Sequence, residues 1–429
     1  MKRVVLAIAL VGCKADLHQT VDAPPLDTPV DSLSSQGDPP ADAVRLTITS
    51  LGNPVAGAGV YFQGPDSAII DASLTDEHGV AWALMPSGGF VTVREHEGAG
   101  LDHLSTFTGV QPRDALTLDL SPTGATDERT LHITVPADSN ATGYRIFAPC
   151  GEAYLATTSE DITLVGCGAV TDLVVATLDA DGLPVGASFA QAINIGDGPV
   201  TLTDPYQPLA TLTLDYTNVP PSVSFVGTYE ALSATQRAYS TTTGVVPSSG
   251  AALATIQMPA SSGTELTATN LYPVNGQVGA QTIYNWHAAT TSYSLDVGNV
   301  LLPAYATAPT FDPATRVLSW TEQAGAQQPD VVRARIHVYR DGVPSGPAWT
   351  WRIVAARTAT SVTYPKLPVI DNVDFNPVAG DAISIDELTT LSLPGGFAGF
   401  RKKGFAEPRG AIAGTLGRIV QQDLYFESL

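Results

Sequence analysis

The densest chemistry-bearing stretch of the chain is Arg333-Ala334-Arg335-Ile336-His337-Val338-Tyr339-Arg340, followed closely by Trp349-Thr350-Trp351-Arg352. Basic and apolar residues alternate, so Arg333 and Arg335 share one face of a strand. Arg340, Trp349, Trp351 and Arg352 complete a candidate binding patch. Guanidinium forks clamp carboxylates, and indole rings stack on sugars or cations. The same pattern also fits a plain strand pair, with tryptophans in a core and arginines facing solvent. Glu95-His96-Glu97 with His103 offers metal-ligand types, but strand pleating turns His96 away from Glu95 and Glu97, and a solvated strand edge is the simpler reading. Asp76-Glu77-His78-Gly79 and Asp179-Ala180-Asp181-Gly182 carry carboxylates suited to calcium, without the bidentate Glu of an EF-hand loop. Asp-Gly at a turn has its own backbone reason. No metal and no other cofactor is expected. G-x-S-x-G, H-E-x-x-H, a Walker loop and a post-strand G-x-G-x-x-G are all missing from the sequence, so no catalytic residue is assigned. A hydrolase site assembled from unlinked residues in 205–395 would leave no such motif.

The remaining reactive side chains are three thiols. Met1-Lys2-Arg3 is basic, Val4 to Leu10 is unbroken apolar sequence, and the run ends in Leu10-Val11-Gly12-Cys13. This ending resembles the lipobox of bacterial lipoproteins. The resemblance implies removal of residues 1–12 as a signal peptide, diacylglyceryl attachment to Cys13, and a partner in the membrane itself. In Gram-negative lipoproteins an Asp after the cysteine favours the inner membrane. Lys14 stands there instead, which leans towards the outer membrane. The alternative is a first strand with Cys13 as a buried thiol. The apolar run is far too short to span a bilayer, and no later run is long enough to do so. Residues 13–43 are rich in Pro, Asp and Ser, and are expected to form a disordered tether reaching roughly 30 Å as a flexible coil. An exported chain sits in an oxidising compartment, where Cys150 and Cys167 would pair as a disulfide. The alternative is two separate thiols.

Composition narrows the function classes. The chain has 429 residues and a formal net charge of −21, with only 15% of residues charged. Residues 1–315 hold 31 acids against 9 bases, whereas residues 316–429 hold 11 against 12. An acidic body repels phosphate, so nucleic acid is not an expected partner. Thr, Ser, Val and Gly take the place of Lys and Glu, which favours short strands joined by turns.

Alternation and turn residues divide the chain into segments. Val44-Arg45-Leu46-Thr47-Ile48-Thr49 alternates as a half-buried strand does. Turns follow at Gly52-Asn53-Pro54-Val55-Ala56-Gly57, Thr75-Asp76-Glu77-His78-Gly79 and Pro86-Ser87-Gly88-Gly89. The order G-x-P-V-x-G-A-x-V, T-D-x-x-G, then P-x-G, resembles the carboxypeptidase regulatory-like domain, and is similar to bacterial Ig-like domains of the invasin type. The resemblance covers 44–121 and implies a β-sandwich that spaces or binds. Segment 125–203 repeats the grammar and carries the cysteine pair. Segment 205–303 is a Thr- and Ser-rich β-domain. Segment 304–395 opens on Pro309-Thr310-Phe311, continues with Val317-Leu318-Ser319-Trp320 and later Val362-Thr363-Tyr364, and resembles a fibronectin type III module. Segments 205–303 and 304–395 also fit one larger β-domain. Residues 396–429 read as a final strand or tail with a basic run at Arg401-Lys402-Lys403.

The expected fold class is all-β: tandem Ig-like or transthyretin-like β-sandwich domains behind a lipoprotein signal and linker. The expected role is a non-enzymatic, envelope-anchored lipoprotein for adhesion or scaffolding. A carbohydrate- or peptidoglycan-binding accessory protein is the second reading, with an envelope protein or glycan as partner.

Overall fold

The structure, a computed structural model, describes residues 39–424 apart from 51–52, 97–100, 121–127, 149–150, 166–169, 196–197, 233–238, 260–263, 274–280, 304, 323–324, 341–346, 371–372 and 403–416. Cys13, Cys150, Cys167, Lys403, the signal and most of the tether lie outside the described residues.

Alternation makes the strands. Along Val44–Ser50 the side chains of Val44, Leu46 and Ile48 are buried while Arg45 is exposed, as a sheet with one packed face requires. Turn chemistry closes them. Asp76 Oδ1 accepts hydrogen bonds from the amides of His78 (2.9 Å) and Val80 (2.8 Å). Gly79 sits at φ +72°, and a Cβ there would lie 2.3 Å from the Ile48 carbonyl oxygen. Only glycine fits such a position. Asp179 repeats the device, its Oδ1 accepting from the amides of Asp181 and Leu183 at 2.9 Å. Both acidic turns therefore use a carboxylate to order their own backbone.

The fold is all-β, and its organising element is a twelve-stranded sheet. Its order is Ser240–Val245, Val223–Leu232, Thr264–Pro273, Gln281–Ala288, Gly417–Leu424, Ala382–Ser392, Val331–Tyr339, Ala348–Ala356, Leu101–Val110, Gly89–His96, Gly59–Gln63, Ile69–Leu74. Strands from segments 44–121, 205–303 and 304–395, and one from the tail, thus share a single ladder. The join between Leu101–Val110 and Ala348–Ala356 is parallel, from Leu101 beside Ala348 to Phe107 beside Val354. Gly417–Leu424 is inserted between Gln281–Ala288 and Ala382–Ser392. A seven-stranded sheet likewise joins 125–203 to 205–303, through Gly186 beside Pro208 and Ala187 beside Gln207. The segment limits read from turn chemistry are therefore not the limits of the sheets.

Smaller sheets cover the long one. Val44–Ser50, Asn53–Pro54, Val80–Ala83 and Ala115–Asp119 form a four-stranded sheet. It packs Leu46, Ile48 and Leu116 with Val93, Phe107, Val354 and Leu391 of the long sheet. On the opposite face, the sheet of Tyr305–Asp312, Val317–Glu322 and Ser361–Thr363 packs Leu318 and Trp320 with Ala334, Ile336, Trp349 and Trp351. The seven-stranded sheet has two cores. One faces the long sheet, around Leu214, Tyr216, Ile256 and Ile283. The other faces a three-stranded sheet, around Ile133, Ile146, Leu164 and Leu173. The short helix Gly396–Lys402 buries Phe400. Its Arg401 lies 3.2 Å from Asp114 and donates to the Gly109 carbonyl, so one residue of the basic run docks the helix onto the first sandwich.

Trp351 shows what the parallel join holds. The ring is fully buried, and its Nε1 donates to Thr106 Oγ1 at 2.8 Å. Thr106 in turn shares a 2.9 Å hydrogen bond with Thr92. Trp351→Ala empties a large core site and removes a partner of a buried hydroxyl. It is expected to lower stability by about 3–5 kcal/mol, measured from urea unfolding. A loss below about 1 kcal/mol would be that of a surface position and would contradict this packing.

Candidate functional site

The expected Arg/Trp patch separates into two faces. Trp349 and Trp351 are on the buried face, 1% and 0% exposed. The aromatic half of the patch is therefore core, because the pleat sends those two rings opposite to Arg352 and beneath the 305–363 sheet. Trp349 meets Phe375 edge-on at 5.8 Å, and Trp351 meets Tyr364 edge-on at 5.1 Å.

Two arginines are held by structure. Arg340 donates to the carbonyls of Asp374 (2.6 Å) and Asn376 (3.1 Å), lies 3.4 Å from Asp381, and sits 5.0 Å above the Trp349 ring. It pins the 374–381 segment to the sheet. Arg333 pairs with Glu387 at 2.5 Å, with side-chain exposures of 16% and 7%. Breaking such a shielded pair leaves an uncompensated charge, so its role is in holding neighbouring strands together.

Arg335 and Arg352 lie on the same face. They stand directly opposite one another in the ladder between Val331–Tyr339 and Ala348–Ala356. Like charges in that relation repel. Arg335 Nε is 3.8 Å from Asp386 Oδ2, too long for a hydrogen bond, and its side chain is 36% exposed. Asp386 Oδ1 accepts from Ser384 Oγ at 2.9 Å.

The next row along the same face is also polar. Register places Glu95 beside His103, His103 beside Thr350, Thr350 beside His337 and His337 beside Ser384, across five consecutive strands. His103 Nδ1 and Thr350 Oγ1 are 2.6 Å apart. His337 stacks on Tyr339 at 4.2 Å, and its Nδ1 is 3.9 Å from Asp386. A register shift between Arg335 and Ile336 explains why consecutive carboxylates serve one face. At this bulge Glu387 meets Arg333 while Asp386 approaches Arg335 and His337, the re-aiming that bulges produce.

This face continues a core. Val354 and Phe107 belong to the packing under the four-stranded sheet. Two residues along each strand come Arg352 and Ser105, and two further come Thr350 and His103. The polar rows are half-buried where that cover ends. Among the described residues, no group of His, Cys, Asp or Glu is arranged to hold a metal ion. His96 pairs in register with Asp102, and Glu97 lies outside the described residues. His103 was grouped with Glu95 only as a metal-ligand type, and Thr350, His337, Ser384 and Asp386 were not assigned from sequence, since register between distant strands brings them together. The one local signal was His337 and Tyr339 alternating in phase with Arg333 and Arg335.

No family model matches the chain, and no curated protein matches it. Among solved structures, the TIE protein of Bacillus anthracis is 12% identical with a TM-score of 0.16, over 59% of this chain and 50% of that one. A leucine-rich repeat protein from Bacteroides thetaiotaomicron is 13% identical with a TM-score of 0.18, over 40% and 26%. A streptococcal ancillary pilin is 8% identical with a TM-score of 0.15, over 59% and 98%. The chain thus spans half the length of the first and about a quarter of the second. At these TM-scores the likenesses assign neither a fold family nor a role.

Burial pushes the His337 imidazole below its ordinary 6.5, with Asp386 opposing and His103 and Arg335 reinforcing the drop. Unfolded, this ring takes a proton near pH 6.5; folded, it resists until lower pH. Its contribution to stability is therefore present above 6.5 and is lost as pH falls through the depressed folded value. His337→Gln is expected to lose less stability on acidification below pH 6.5 than the wild type, read from urea midpoints over a pH series. Parallel pH profiles for the two proteins would show that the ring is not desolvated.

Proposed function

We propose that the chain is an envelope-anchored lipoprotein, lipidated at Cys13, whose β-rich body presents a surface for adhesion or scaffolding without catalysis of its own. The observation that carries the reading is the twelve-stranded ladder. It binds strands from three long segments and the tail through backbone hydrogen bonds, which suits a body that must keep its surface under load. The basic, apolar start and the cysteine at 13, followed by Pro- and Asp-rich sequence, supply the anchor and tether. The outer membrane is the proposed location. In that compartment Cys150 and Cys167 would form a disulfide. A second reading is capture of an envelope or surface glycan on the half-buried polar face that carries Arg335, Thr350 and Arg352.

The test is Cys13→Ala in the native cell. The wild type is expected in the membrane fraction with an acylated amino terminus at Cys13 by mass spectrometry. The variant is expected to lose the acyl mass and to leave the envelope, and cell adhesion should fall to that of a deletion strain. A native protein beginning at Met1 with a free thiol at position 13 would end the anchoring reading. Unchanged adhesion on deletion of the gene would end the adhesive one.

A further inference from the structure

We propose that Asn140 is a glycosylation site, whose side-chain amide receives an oligosaccharide from a polyprenyl-diphosphate carrier on the outer side of the cytoplasmic membrane. The inference goes beyond adhesion or scaffolding and rests on that reading only for export of the chain.

The acceptor sequence is Asp138-Ser139-Asn140-Ala141-Thr142. It sets a hydroxyl two residues after the amide and a carboxylate two residues before it, with no proline between. Asn-x-Ser/Thr is the pattern that oligosaccharyltransferases read, and the bacterial form of the motif adds the acid. No other asparagine in the sequence has Ser or Thr at its second following position. The transfer balances with the carrier as sole co-reactant. Asn140 Nδ2 bonds to C1 of the sugar, and the C1–O bond to the diphosphate breaks. The diphosphate leaves with the electron pair, and the amide releases one proton.

The fold presents this sequence on a turn between Glu128–Thr134 and Gly143–Ala148. Asn140 and Thr142 are exposed and Asp138 is half-buried. The bonds that shape the turn use the backbone of Asn140, not its side chain. Asp138 Oδ1 accepts from the Asn140 amide at 2.9 Å, and the Asp138 amide donates to the Tyr144 hydroxyl at 3.2 Å. The Thr142 amide donates to the Leu178 carbonyl at 2.8 Å. The Thr142 hydroxyl donates to the carbonyls of Leu178 and Asp179. At an exposed turn, such bonds exchange for those of an enzyme at small net cost.

The same end of the sheet carries uncovered apolar surface. Register sets Gly143 beside Leu178, Leu178 beside Pro184 and Tyr144 beside Leu155. At this end Tyr154, Leu183 and Val185 are 59%, 60% and 44% exposed. The Tyr154 hydroxyl occupies the space a Cβ would take at Gly143, the residue after Thr142. An oligosaccharide held at Asn140 stands beside this surface, and the C–H faces of its rings can pack there.

The experiment isolates the full chain from its native cell and reads the tryptic peptide 130–145 by mass spectrometry with site-localising fragmentation. The expected result is an oligosaccharide on Asn140. Asn140→Gln should abolish the added mass, and Asp138→Ala and Thr142→Val should each lower occupancy at least about tenfold. Asp138→Glu and Thr142→Ser keep the carboxylate and the hydroxyl and should retain the glycan, which separates recognition of those groups from damage to the turn. A bare wild-type peptide, or a glycan that persists in Asn140→Gln, would overturn the site. Wild-type occupancy in Thr142→Val would overturn transfer by an enzyme that reads the motif. The same digest reports the amino terminus. Bare Asn140 on a chain acylated at Cys13 sinks the glycan and leaves the anchor, whereas a glycan on a chain that keeps Met1 does the reverse.

Discussion

The parallel ladder between Leu101–Val110 and Ala348–Ala356 is the constraint on which the rest of the structure depends. Backbone hydrogen bonds fix its register, and a slip of one residue would exchange the two faces. That register places Trp351 beside Leu104 and over Thr106 on one side, and Thr350 beside His103 on the other. It also completes two cores at once. Val354 joins Phe107 beneath the four-stranded sheet, and Trp351 joins Leu104 beneath the 305–363 sheet. Neither end of the chain holds its sandwich alone.

One strand face then serves two purposes. Near Val354 it is apolar and covered; four residues away, at Thr350, it is polar and half-buried. The bulge at Asp386 and Glu387 makes the change tolerable, since it lets two carboxylates from one strand meet Arg333 and Arg335 on the same face. Arg333 and Glu387, at 16% and 7% side-chain exposure, approach closely, whereas Arg335, at 36%, keeps a 3.8 Å separation from Asp386. Buried charge must be paired, while charge near water tolerates a looser arrangement.

The all-β class was legible because period-two alternation and turn glycines are local signals. Val44, Leu46 and Ile48 are buried as their spacing predicts, and the Asp76 and Asp179 turns use their carboxylates on backbone amides. The alternation around Arg333 correctly separated two faces, yet could not tell which one faced a neighbouring sheet. Sharing of sheets between segments was not legible. Nothing near Phe107 says that its ladder partner is Val354, because pairing between distant strands is settled by shape and register. The Glu95–His103–Thr350–His337–Ser384 row was hidden for the same reason. Its members come from three parts of the chain and meet only through four separate pairings.

The interior place of Gly417–Leu424 sets an order of events during synthesis. A ribosome delivers the amino terminus first, so the edge of Leu101–Val110 stands open until residues near 350 arrive. The gap between Gln281–Ala288 and Ala382–Ser392 stays unfilled until Gly417–Leu424 pairs with both. Contacts of such long sequence separation form slowly, and unpaired edges invite pairing with other chains. Until those distant partners meet, the edges that the ladder later buries are open to pairing with other chains.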